Sequence, residues 1–318
     1  MNGKILLTGA NGFVGRAVLD RLVQIGHPVK AAVRSSGAEL GSQVKRIVIS
    51  GLDANTDWSL ALEDIVAVIH SAARVHVMND QTPDPLAEFR KVNVDGTLHL
   101  ARQAALAGVK RFIFISSIKV NGEGTRPGLP YTAFDAPDPQ DPYGVSKMEA
   151  EEGLRRIAQD TGMELVIIRP VLVYGPGVKA NFRSMMSWVN RGIPLPLGAI
   201  HNKRSLVSLD NLVDLIVTCI DHPRAANQTF LVSDGEDLST SEMLRKMAAA
   251  LGRPARLLPV PATVLEGAAG LLGKRGVAQR LCGSLQVDIG HTRETLGWSP
   301  PVSVDQGFRA AASAYLNE

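Results

Sequence analysis

Tyr143-Gly144-Val145-Ser146-Lys147 sets a phenol and an ammonium four residues apart. Asp141 is a helix-capping residue type and Pro142 suits a first helical position, so the segment reads as a helix start with Tyr143 and Lys147 on one face. A free tyrosine, with a pKa of about 10, is a poor base at neutral pH. A nearby lysine cation and the positive end of a helix both favour phenolate, which would make Tyr143 a proton shuttle for an alcohol or a carbonyl oxygen. The same spacing also describes an ordinary surface helix turn. Further hydroxyls stand upstream. Phe112-Ile113-Phe114-Ile115 is a buried-type strand run that ends in Ser116 and Ser117, the latter 26 residues before Tyr143. A serine at the C-terminal end of a strand faces the crevice where ligands bind in open α/β sheets, so it can hydrogen-bond a reacting oxygen. The intervening stretch from Asn121 to Pro142 is rich in Pro and Gly, and a loop of that length is expected to cover a substrate.

Near the N-terminus, Thr8-Gly9-Ala10-Asn11-Gly12-Phe13-Val14-Gly15 follows a strand and opens a helix. Gly9, Gly12 and Gly15 allow a tight turn, close approach of backbone to a pyrophosphate, and close helix packing. The helix start offers free N–H groups to the phosphates. An NADP⁺ ring held there would add a further positive charge favouring the Tyr143 phenolate. An NAD-preferring site usually carries an acid about 20 residues on. Here Val33-Arg34-Ser35-Ser36 stands, with Arg34 19 residues after Gly15. An arginine pairs with a 2′-phosphate and stacks on adenine, and serines add hydrogen bonds, so NADP(H) is favoured over NAD. The alternative is a solvated arginine at a strand end.

These groups need a scaffold. Strands are expected at Lys4–Thr8, Pro28–Val33, Lys45–Ile49, Val66–His70, Arg111–Ser116, Glu164–Ile168 and Gln228–Ser233. Most are Val/Ile-rich without clean alternation, the pattern of strands covered on both faces. Helices are expected at Gly12–Ile25, Leu86–Ala107, Asn211–His222 and Glu242–Leu251. Alternating β and α predict an α/β Rossmann-type doubly wound parallel sheet over residues 1–170. Residues 171–318 read as a smaller, mixed α/β substrate domain, with segments near 205–235 as candidates to return to the first sheet.

The whole composition agrees with a globular protein. The 318 residues are 45% hydrophobic and 20% charged, and 34 Lys+Arg against 31 Asp+Glu leave a net charge of +3. With no run of five like charges, a nucleic-acid partner is not expected. Cys219 and Cys282 lack metal-ligand spacing and read as core thiols of a reducing compartment, so no metal is expected. The N-terminal apolar run is too short for a signal peptide, and no stretch is long enough to span a membrane, which predicts a cytoplasmic protein. The least polar region, Val260–Leu272, is interrupted by Pro261 and Glu266 and is expected to be a buried or interfacial helix.

Taken together, Thr8–Gly15, His70-Ser71-Ala72-Ala73, Asn93-Val94-Asp95-Gly96-Thr97, Ser116-Ser117, Tyr143–Lys147, Arg169-Pro170 and Tyr174-Gly175-Pro176-Gly177 make the chain resemble, over essentially its whole length, the extended short-chain dehydrogenase/reductases of the nucleotide-sugar epimerase/dehydratase group. The resemblance implies that Ser117 and Tyr143 hold the sugar oxygen being oxidised or reduced. It implies that Lys147 binds the nicotinamide ribose and tunes Tyr143, and that Asn93 completes a proton relay. Asn11, Phe13, Val14, Ala72, Ala73 and Pro170 would lie along the cofactor, and Asp53 would contact its adenine. Asn181 and Arg204, with Arg280 as a looser match, would hold the nucleotide diphosphate of a UDP-sugar, beside Ser116. A surface role is the alternative for each arginine. The helices near 86–107 and 143–161 resemble those that form the group's dimer interface, implying a homodimer.

Departures narrow the reading. UDP-galactose 4-epimerases of the group usually carry tyrosine where Asn121 stands, and an asparagine near the position of Leu172. Ser116–Gly122 and Ser284–Asp288 look most like bacterial UDP-4-keto-6-deoxy-N-acetylhexosamine 4-reductases of surface-polysaccharide synthesis. The first expectation is therefore an NADPH-dependent reductase. The alternatives are a UDP-hexose 4-epimerase with tightly held NAD and, remotely, a non-catalytic dinucleotide sensor. A 4,6-dehydratase is disfavoured because Ile118-Lys119, not an Asp-Glu pair, follows Ser117.

Overall fold

Branched aliphatic runs become strands and the amphipathic stretches between them become helices. The structure, a computed structural model, describes residues 3–35, 40–41, 43–75, 82–126, 128–273 and 275–318. Its strands are β1 (Lys4–Thr8), β2 (Val29–Val33), β3 (Lys45–Val48), β4 (Ile65–His70), β5 (Arg111–Ile115), β6 (Glu164–Pro170), β7 (Leu172–Tyr174), β8 (Arg204–Ser208), β9 (Gln228–Val232) and β10 (Asp237–Leu238). The helices of the first half are α1 (Phe13–Gln24), α2 (Ser59–Leu62), α3 (Pro85–Phe89), α4 (Thr97–Leu106) and α5 (Pro142–Thr161). Those of the second half are α6 (Ala180–Asn190), α7 (Leu209–Asp221), α8 (Thr240–Ala250), α9 (Ala262–Leu271), α10 (Arg275–Cys282), α11 (Gly290–Leu296) and α12 (Val304–Leu316).

Seven strands form a wholly parallel sheet in the order β3-β2-β1-β4-β5-β6-β9. The order reverses direction at β1, which places a ligand crevice beyond the carboxyl ends of β1 and β4. This is the expected Rossmann-type doubly wound sheet. Side chains alternate across it. Ile5 and Leu7 join one core with Val18, Leu19 and Leu22 of α1 and Leu212, Leu215 and Ile216 of α7. Leu6 joins the opposite core with Leu100 and Ala104 of α4 and Ala150 and Leu154 of α5. Each fully buried aliphatic side chain contributes about 1.5–3 kcal/mol, so both faces of the sheet are anchored.

The second half divides its elements. β9 pairs with β6 from Val166↔Gln228 to Pro170↔Val232, and α7 shares the core of α1. The rest builds a mixed three-stranded sheet, β10-β8-β7, packed with α6, α8 and α12 through Phe182, Leu244 and Phe308. Two expectations change. The stretch 86–107 is not one α-helix, because a π-helical turn, Arg90–Gly96, separates α3 from α4. Of the buried or interfacial helix expected at Val260–Leu272, the buried alternative falls, because α9 has no buried residue.

Candidate active site

The glycine turn forms a close-packed cradle. Gly9 adopts φ +74°, and the Gly12 N–H donates to its carbonyl at 2.8 Å. A Cβ on Gly15 would lie 2.1 Å from the Gly9 oxygen, and one on Gly9 would lie 2.7 Å from the backbone nitrogen of Ala72. Gly12 caps α1 and, having no side chain, places no capping group of its own on the N–H groups of the first turn. Asn11 is exposed there, and Phe13 and Val14 pack half-buried on the core. A cradle that excludes side chains and presents a bare helix start fits a dinucleotide pyrophosphate. The ends of β1 and β4 are clamped behind it. The Thr8 hydroxyl meets Nδ1 of buried His70 at 2.7 Å, Nε2 of His70 meets Thr97 Oγ1 at 2.9 Å, and Ser71 donates to the Thr8 carbonyl. Burial, with the Lys147 charge adding to it, pushes the His70 pKa down to about 3, so the ring is neutral.

Other cofactor candidates surround this turn. Arg34 and Ser35 are exposed directly after β2, while Ser36 lies outside the described residues. Ala72 and Ala73 are half-buried beyond β4, and Pro170 is buried at the end of β6. Asp53 is partly committed to its own turn: its Oδ1 accepts from the Asn55 N–H at 2.9 Å and the Thr56 hydroxyl at 3.2 Å.

Tyr143, Lys147 and Ser117 meet at the end of β5. Asp141 caps α5 through the Gly144 N–H, with Pro142 at its first position. Half-buried Tyr143 is hydrogen-bonded to the Ser117 hydroxyl. Lys147, buried one turn on, donates to the Ile115 carbonyl at 2.9 Å and stands 4.4 Å above the Phe114 ring. The protein's own groups run against a phenolate. Burial, with Asp141 adding to it, pushes the Tyr143 phenol up to about 12, while the Ser117 hydrogen bond pulls the other way. Burial pushes Lys147 down to about 7, against the Glu151 charge. In this arrangement Tyr143 is therefore a protonated donor at neutral pH rather than a phenolate. Asn93 sits in the π-helical turn, its amide holding the Arg74 N–H and carbonyl at 2.8 and 3.0 Å and the Ser146 hydroxyl at 3.0 Å. It reaches the catalytic helix through Ser146, with no hydrogen bond to Lys147 itself.

Ser116 is a correction to the sequence reading. It is buried, and its hydroxyl donates at 2.6 Å to Glu151 rather than facing a substrate. Glu151 is the group the sequence reading missed. It is buried, pairs with Arg169 at 2.6 and 2.9 Å, and accepts from Arg155. Arg169 in turn donates to Asn121 at 2.9 Å, and Asn121 donates to the Thr132 carbonyl. A hydrogen-bonded chain thus runs from α5 through β6 to the loop between Ser117 and Tyr143. Its sequence signal is faint: Glu151 follows Lys147 by four residues, on the same helical face, a spacing that solvated acids share.

That loop is joined by backbone to the second sheet. The Thr125 N–H donates to the Ser284 carbonyl, the Tyr131 N–H to that of Gln286, and the Asp288 N–H back to Tyr131. The same 284–288 segment bonds β8, through the Ser205 N–H to the Leu285 carbonyl at 2.8 Å. Arg204 is half-buried beside it and donates to the Gly283 carbonyl at 3.0 Å. Burial lowers the pKa of its guanidinium, and Glu123 of the loop opposes the shift. Asn181 is exposed in the first turn of α6, after Ala180 at φ +53°, a left-handed conformation costing roughly 1–2 kcal/mol. Such strain is concentrated at ligand sites. Arg280 is exposed, and its Nε donates to Gly276 of its own helix. Cys219 is buried with its thiol pushed up to about 12 by burial, whereas Cys282 is only half-buried, and both are free.

Comparison with known proteins agrees with this geometry. Residues 5–233 match the NAD dependent epimerase/dehydratase family. A Vibrio cholerae protein named UDP-glucose 4-epimerase is 54% identical, over 99% of this chain and 96% of its own. The fold is shared with a UDP-glucuronic acid 4-epimerase from Bacillus cereus in complex with NAD, at TM-score 0.77 and 22% identity over 99% of both chains. It is also shared with RMD from Pseudomonas aeruginosa complexed with NADPH, at TM-score 0.75 and 22% identity over 100% of both chains. The chain belongs to the NAD dependent epimerase/dehydratase family of extended short-chain dehydrogenase/reductases, and its cofactor is a nicotinamide dinucleotide.

Proposed function

We propose that the protein is an NADPH-dependent reductase of the C4 ketone of a UDP-4-keto-6-deoxy-N-acetylhexosamine. Its product would be a UDP-quinovosamine- or fucosamine-type sugar for surface polysaccharide, made in the cytoplasm. The observation that carries this reading is Arg34, exposed directly after β2, where a 2′-phosphate would be recognised. A dinucleotide bound in the glycine cradle supplies hydride chemistry at its nicotinamide end. The protein's own groups do the rest. Ser117 and Tyr143 orient the C4 oxygen, and Tyr143, protonated with its pKa pushed up to about 12, gives that oxygen its proton. Arg204 and Asn181 hold the diphosphate at the far end. Dimerisation through α4 and α5 belongs to the same reading.

One finding favours a second reading, UDP-hexose 4-epimerisation with tightly held NAD: the name of the Vibrio cholerae relative. The two separate in one experiment. Purified protein is mixed with UDP-4-keto-6-deoxy-GlcNAc and either NADPH or NADH. Stoichiometric NADPH consumption with a 4-hydroxy product is expected. Arg34→Asp is expected to weaken NADPH about tenfold or more relative to NADH, the loss of a charged pair. Conversion of UDP-glucose or UDP-GlcNAc to the C4 epimer without added reductant, and no NADPH consumption, would overturn the reductase.

A further inference from the structure

The helical hairpin α9–α10 leaves an apolar surface uncovered. Val264, Ala268 and Leu271 follow one another at helical spacing on the outer side of α9. Val264 is 57% exposed, Leu271 92%, and Leu272, directly after the helix, 72%. Val277 on α10 and Leu258 before α9 are also exposed. Ala262 and Leu265 hold the opposite side against the core of the small sheet with α6, α8 and α12, so the outer residues are displayed on a docked element. An exposed cluster of large aliphatics marks an interaction surface.

Charge says what it meets. Residues 253–282 contain five Lys or Arg and a single acid, Glu266, a net +4 against +3 for the whole chain. The remaining 288 residues therefore carry −1 in sum, so the positive balance of the sequence lies in residues 253–282. Arg253, Arg256 and Arg280 of this stretch are exposed, the first two reaching Asn190 and the Gly192 carbonyl at the end of α6. Among the described residues no helix is long and apolar enough to cross a membrane. Exposed aliphatics in a stretch of net positive charge are the composition of an element that lies in the plane of an anionic bilayer, with its leucines among the acyl chains and its cations at the phosphates. We propose that α9–α10 docks the protein peripherally on anionic phospholipid. The hairpin leads straight into Gly283, whose carbonyl holds Arg204, so docking would set the substrate half of the site beside the membrane surface.

The test is co-sedimentation of the full chain with extruded vesicles of phosphatidylcholine alone or with 30% phosphatidylglycerol, a composition of about one anionic lipid in three. Binding to the anionic vesicles is expected, weakening at high salt. The double variant Leu271→Glu/Leu272→Glu is expected to lose about tenfold or more of that binding, with its thermal midpoint and NADPH affinity unchanged. A charge-only variant, Arg253→Gln/Arg256→Gln, is expected to weaken binding less and to flatten its salt dependence. Equal binding to both vesicle types, or none to either, overturns the proposal. So does sedimentation velocity showing that the leucine pair instead drives self-association of a chain that ignores vesicles.

Discussion

Tyr143 and Lys147 divide their labour through burial. The phenol is pushed up to about 12 and keeps its proton, while the ammonium is pushed down to about 7 and sits near its titration point. Tyr143→Phe is expected to lower single-turnover NADPH oxidation by about 10²–10⁴-fold, the worth of a positioned proton donor. Dinucleotide binding, followed by fluorescence, should be unchanged, and an unchanged turnover would remove Tyr143 from the chemistry. Glu151 acts one step further back. Its charge is what opposes the lowering of the Lys147 pKa, and its oxygens hold Ser116 and Arg169. Glu151→Gln would leave Arg169 buried beside a neutral amide, with an expected cost of about 3–5 kcal/mol in urea unfolding. A merely structural role would stop there. A positioning role also moves the Lys147 titration to lower pH, read as an acid shift of the pH–kcat profile. The motif residues Ser117, Tyr143 and Lys147 could be named from spacing. Glu151 could not, because an acid at helical spacing is ordinarily a solvated one, and only the arrival of Arg169 from β6 buries it.

Elements differ in how far their own residues announce them. β1 has the bounds its residues suggest, and β2, β4, β5, β6 and β9 lie within a residue or two of theirs, because double-sided burial selects Val, Ile and Phe runs over glycine-bounded segments. β7, β8 and β10 are defined by long-range pairing rather than by local pattern. The π-helical turn at Arg90–Gly96 is hidden for another reason: it changes which carbonyl each N–H meets without changing which residues are apolar. The βα turn is the opposite extreme, since its conformation permits so few residues. Gly15→Ala would drive a methyl to 2.1 Å from the Gly9 carbonyl, against backbone that α1 and β4 both hold. The expected outcome is loss of dinucleotide binding in isothermal titration, with destabilisation of about 1–3 kcal/mol from overpacking. A variant that bound NADPH normally would mean that the turn can open, and that the cradle is not the site.

At the scale of the whole molecule, the sheet buries titratable groups at its functional edge, and stability must then depend on pH with a defined sign. His70 lies fully buried between Thr8 and Thr97, with its pKa lowered from 6.5 to about 3. Between those values the unfolded chain binds a proton that the folded chain does not, so stability falls as pH drops from 6.5 towards 3. The contribution of this ring is about 1.4 kcal/mol for each pH unit across the window. Lys147 works the same way at higher pH: with its folded pKa near 7 against 10.5 unfolded, stability rises as pH climbs through that window. His70→Gln isolates the ring, because an amide can bond Thr8 and Thr97 but does not titrate. Urea unfolding from pH 4 to 8 should show the variant weaker near neutrality and converging on wild type in acid. Parallel curves at every pH would mean that His70 is not carried neutral in the folded protein. The clamp joining β1 to β4 would then become charged below about pH 6.5, and the dinucleotide turn it backs would sit in a different field there.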